Sequence, residues 1–77
     1  MKLSKVPLAD IKAGDRCVSA IGTMGVITSV DTQRQPHGNL FRVGWIKISW
    51  DNKKTSQGWY DDGDGTWYWD NVEYLGR

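Results

Sequence analysis

The chain has 77 residues, 39% of them hydrophobic and 12% aromatic, and a formal net charge of +1. That length supports one domain with a small core. A single cysteine, Cys17, excludes an internal disulfide. The near-neutral balance argues against a uniformly basic nucleic-acid binder, although residues 1–54 carry nine Lys/Arg against four Asp, and residues 55–77 carry Arg77 against four Asp and Glu73.

Residues 1–10 read as an N-terminal lead-in, with Pro7 limiting regular structure and Leu8 and Ile11 available to cover one end of a core. The start holds no apolar run long enough for a signal peptide or a membrane span. The chain opens on Met1 and is expected to be a complete soluble protein, and an unpaired thiol suits a reducing cytoplasm. Cys17 reads as a small strand residue, without the companions that metal ligation or thiol catalysis requires.

Gly14-Asp15 is turn chemistry feeding a strand over about Arg16 to Ile21, with Cys17, Ser19 and Ile21 on one face. Gly22-Thr23-Met24-Gly25 turns the chain into a second strand, Val26 to Val30. Residues 31–39 are polar and read as a long loop, a usual place for ligand contacts. Leu40 to Trp50 is the longest strand candidate, rich in β-branched and aromatic residues, and Gly44 within it marks a bulge or bend. Residues 51–54 form a hairpin turn before a strand near Thr55 to Tyr60. Asp61-Asp62-Gly63-Asp64-Gly65 is a turn, Thr66 to Trp69 a short strand, and Asn71 to Leu75 a last one or a single helical turn plus strand. The expected fold is all-β, a small barrel of about five antiparallel strands over residues 11–77.

The pattern of Ile11, Gly14, Asp15 and Arg16, then Gly22 and Gly25, then Trp50-Asp51-Asn52 resembles the SH3-like small-barrel superfamily. The stretch holding Gly22, Gly25, Val26, Ile27 and Val30 looks like a KOW motif of ribosomal and transcription-elongation proteins, and Gly25 to Asn52 looks like SH3-like domains of certain ubiquitin ligases. The chain also shares the Gly-Asp-Arg opening of type II dihydrofolate reductases, short SH3-like chains that assemble into tetramers. Where those enzymes carry a Val-Gln-Ile-Tyr strand lining the active pore, this chain reads Trp67-Tyr68-Trp69-Asp70 and lacks the amide side chain. An oligomeric reductase-like enzyme, with symmetry-related Tyr68 lining a pore, is therefore only a remote alternative.

Five tryptophans, three tyrosines and one phenylalanine exceed what so small a core absorbs, so some rings are expected at the surface as a contact patch. Trp59, Tyr60, Asp62, Trp67 and Trp69 are the candidate protein-binding set, rings giving buried area and the carboxylate selecting a basic group. Such a patch suits a proline-rich peptide, stacked bases or a methylated ammonium, or it forms a homo-oligomer seam. Arg34, Arg42, Lys53 and Lys54 are the candidate set for the alternative, a KOW-like nucleic-acid-binding barrel. His37 has no partner at hydrolytic spacing, and no catalytic triad, phosphate loop or metal-ligand cluster can be assembled, so no cofactor or metal is expected. The expectation is a non-enzymatic module contacting a protein partner, of a kind suited to a small bacterial or phage accessory protein.

Overall fold

A computed structural model of the chain describes residues 1–33, 35–37, 40–61 and 69–77, with the backbone alone at Gln35, His37, Leu40, Phe41 and Asp61. The expected strand Thr66 to Trp69 and the acidic turn at 61–65 fall largely outside these residues. Among the described residues there are six strands: β1 (Arg16–Ser19), β2 (Met24–Asp31), β3 (Gln35–His37), β4 (Leu40–Trp50), β5 (Thr55–Asp61) and β6 (Val72–Gly76). All pairings are antiparallel, in the order β6-β1-β2-β4-β5, with the short β3 added to the start of β4. This order is compatible with an SH3-like small barrel, although the sheet is not closed among the described residues. The fold class read from the sequence is thus all-β, as expected.

The alternation of side chains sets the core. Cys17, Ile27, Ile46 and Ile48 are fully buried on the inner face, while Met24, Val26 and Lys47 on the same strands are exposed. Three register shifts bend the sheet: at Arg16/Cys17 between β1 and β6, at Ile27/Ser29 between β2 and β4, and at Arg42/Gly44 between β4 and β5. The bend expected at Gly44 has a steric cause. A methyl group there would lie 2.0 Å from the Asp31 carbonyl oxygen and 2.5 Å from Leu8 Cδ2. Only glycine permits that approach.

The N-terminal residues cover part of the core. Two single 3₁₀ turns, Leu3–Lys5 and Leu8–Asp10, carry Leu3, Val6 and Leu8 into the core beside Ile11. Met1 and Lys2 extend the sheet past β6, through a bridge from Lys2 to Glu73 and the Tyr74 N–H donating to the Met1 carbonyl at 2.7 Å. The Met1 ammonium also pairs with the Glu73 carboxylate.

Two local expectations are corrected. The first strand ends at Ser19, because Gly22, at φ +88°, closes a turn in which its N–H donates to the Ser19 carbonyl; Ile21 therefore stands 89% exposed outside the strand instead of sharing its Cys17 face. The region read as one polar loop contains β3, which pairs Gln35 with Arg42 and His37 with Leu40.

Candidate functional site: the outer face of β4 and β5

The hairpin β4–β5 carries the candidate site on its outer face. Trp45 pairs directly with Trp59 across the strands, and Lys47 with Gln57 in the next outward-facing row. Directly opposed residues on one face start close together, so the two tryptophans stand side by side as a ledge on that face. Both tryptophans are half-buried, whereas Lys47 and Gln57 are exposed. On the other side of β4, Asp31 of β2 pairs with Trp45 and Ser29 with Lys47.

The bulge at Arg42/Gly44 decides what flanks the ledge. Strict alternation would send Arg42 to the Ile46 side of β4. One extra residue in β4 against β5 instead turns Arg42 toward Trp59, where its guanidinium carbon lies 5.0 Å from the ring centroid. That is a cation–π distance. The ring thus already carries a cation on one face, which disfavours its use as a cage for a methylated ammonium. Between Trp45, Gln57, Gly58 and Trp59 lies an open depression of about 320 Å³, where Gly58 contributes no side chain.

The candidate contact residues part company here. Trp59 lies on the ledge. Tyr60 and Trp69 do not belong to it: they are 4% and 1% exposed, and their polar ends are committed inward. The Tyr60 hydroxyl is held at the Leu3 and Val6 carbonyls, and burial pushes its pKa up to about 12. Trp69 Nε1 donates to the Trp59 carbonyl at 3.1 Å from a position just before β6, which fixes the backbone beneath the ledge. The reason for the correction is demand: the inner face contains small residues such as Gly25, Gly44 and Cys17, and these two large rings complete the core. Asp62 and Trp67 lie outside the described residues, as does Tyr68.

The candidate basic set is divided as well. Arg42 flanks the ledge, Lys53 and Lys54 sit in the turn at the far end of the hairpin, and Arg34 lies outside the described residues. Sequence reasoning missed Trp45. The signal was present, since Trp45 sits opposite in parity to Ile46 and Ile48 on a strand whose inner set is apolar. Among the described residues, no group of three or more His, Cys, Asp or Glu is placed to hold a metal ion. No described helix is long and apolar enough to cross a membrane.

Comparisons with protein-family models, with curated proteins and with solved structures gave no match.

Proposed function

We propose that this protein is a non-enzymatic binding module that takes an extended, proline-containing segment of a partner protein on the Trp45–Trp59 ledge. The observation carrying this reading is the direct cross-strand pairing of two half-buried tryptophans on an outer sheet face. Paired rings with a shallow slot between them suit the ridges of a left-handed polyproline helix, which loses little entropy on binding. The mixed polarity around the rings, with Lys47 and Gln57 on one side and Asp31 on the other, supplies partners for a peptide backbone.

A single-stranded nucleic acid is the second reading, favoured by Arg42 and Lys47 sharing the face of the rings. Base stacking would contribute roughly 1–3 kcal/mol per base. The separation of Lys53 and Lys54 from the ledge, and the acidic residue Asp31 beside it in the register, weigh against that reading.

The deciding experiment is a tryptophan-fluorescence titration of the full chain with a proline-rich peptide and with oligothymidylate, each at low and high salt. Peptide binding that changes little with salt and weakens about tenfold or more in W45A and W59A supports the proposal. Binding of the oligonucleotide alone, falling steeply with salt, would replace it with the second reading.

A further inference from the structure

A second concavity lies toward the far end of β4, bordered by Trp50 on the Ile46–Ile48 side of the strand, opposite in parity to the ledge. It encloses about 440 Å³ between the β1–β2 turn, the β4–β5 turn and the start of β6. That volume is in the range of sites that hold a small ligand or a few residues of peptide.

Its walls are fixed before any ligand arrives. The Trp50 indole lies so close over Gly25 that a methyl group there would sit 2.5 Å from the ring, and Nε1 donates to Ser56 Oγ at 2.9 Å. One turn is closed by the Ser19 N–H donating to the Thr23 carbonyl at 2.9 Å and the Thr23 N–H donating to Ser19 Oγ at 3.1 Å. The other is closed by the Trp50 N–H donating to the Lys54 carbonyl at 2.8 Å and the Lys54 N–H donating to Asn52 Oδ1 at 3.0 Å. Preorganised walls lower the ordering cost of binding.

The chemistry of the lining is specific. Trp50 and Val72 give an apolar floor, and Ile21, 89% exposed, stands at the lip. Asn52 and Asn71 are amides that can pair with a peptide unit; Asn52 has committed its carbonyl to the turn, which leaves its NH₂ to donate. Among the described residues that line the groove, Lys54 carries the one charge. The Trp50–Lys54 backbone hydrogen bond starts the ring and the ammonium stem from adjacent positions.

A ligand that satisfies both must carry an apolar group and a carboxylate close together. We propose that this groove binds the carboxyl-terminal residue of a partner protein, with an apolar side chain over Trp50 and Val72 and the terminal carboxylate on Lys54. A carboxyl-terminal residue holds both groups on one Cα, whereas an internal acidic residue displaces its carboxylate by a side chain. This inference stands independently of the Trp45–Trp59 reading.

The test is a titration of the isotope-labelled full chain with acetyl-Ala-Ala-Leu as the free acid and as the terminal amide, following backbone amide resonances. The free acid is expected to shift residues 20–23, 52–56 and 71, and to bind more tightly than the amide by up to about fivefold, the upper range of one exposed ion pair. K54Q should abolish that difference, and I21S should weaken both peptides. Equal binding of the two peptides by the native chain would overturn the carboxylate assignment. An absence of shifts in the groove, or shifts confined to the Trp45–Trp59 ledge, would overturn the site.

Discussion

The Tyr60 hydroxyl reaches the Leu3 carbonyl at 2.7 Å across 57 positions of the chain, tying the last residues of β5 to the first turn of the protein. The Val6 carbonyl faces the same hydroxyl, so one phenol anchors both ends of the segment that covers the core. Y60F removes a buried donor while leaving both carbonyls in place, and it should cost about 1–3 kcal/mol. L3A, at a fully buried position, should cost about 2–5 kcal/mol. Urea unfolding monitored by circular dichroism checks both; values near zero would show that the N-terminal segment is not part of the cooperative unit.

Gly44 is expected to tolerate no side chain. A methyl group at 2.0 Å from the Asp31 carbonyl oxygen meets backbone, which cannot rotate aside. G44A should therefore destabilise by about 1–3 kcal/mol or more. G25A meets the Trp50 ring instead, so its signature should include a shift in tryptophan emission as the indole moves. Thermal melts and emission spectra of the two variants separate these effects.

Asp15 makes stability depend on acidic pH. Its carboxylate, 3% exposed, accepts from the Tyr74 hydroxyl at 2.6 Å and from the Lys12 N–H at 2.9 Å, with Arg77 Nε 3.8 Å away. The Tyr74 bond leads in holding it below its ordinary value near 3.8, against the opposing effect of burial. A carboxyl depressed in the folded state stabilises fully above its unfolded value and loses that contribution as pH falls through the folded one. Unfolding measured from neutral pH downward should show an added loss below about pH 3.8, and D15N should remove that part of the profile.

The same pair acts in reverse at alkaline pH. The bond to Asp15 pushes Tyr74 up to about 12, so the unfolded chain surrenders this proton first. The stability it contributes is complete below about pH 10 and is lost toward pH 12. Tyr60 is raised to about 12 by burial, so Y74F should remove only part of the alkaline loss. A stability profile unchanged by Y74F would contradict the assignment.

Cys17 should be chemically silent in the folded protein. It is fully buried, and desolvation pushes its thiol from 9.0 to about 11. The shift alone lowers the thiolate fraction about a hundredfold near neutral pH. Ellman's reagent should react slowly with the native chain and rapidly in urea; equal rates would place Cys17 at the surface.

Much of the strand framework is legible in the residues themselves. The span Leu40 to Trp50 is marked by β-branched and aromatic side chains and coincides with β4, because local propensity and burial agree there. Gly44 announced the bend. Gly22 announced a turn, but not that the turn begins early enough to expose Ile21, since three residues of either conformation fit the same local pattern.

The sequence by itself determined the all-β character, the turns at Gly14-Asp15 and at 51–54, and the parity that places Trp45 opposite Ile46 and Ile48. It could not determine which aromatic rings become core. Trp59 and Tyr60 are neighbours on one strand, yet one lies on the ledge and the other is 4% exposed, because alternation assigns faces without saying which face will be covered. Coverage came from segments distant in the chain: Leu3, Val6 and Leu8 from the N-terminus and Trp69 from the turn before β6. The position of Arg42 over Trp59 likewise depends on a register shift between two strands. Such a shift arises from how β4 and β5 pair, a relation between strands that neither strand carries alone.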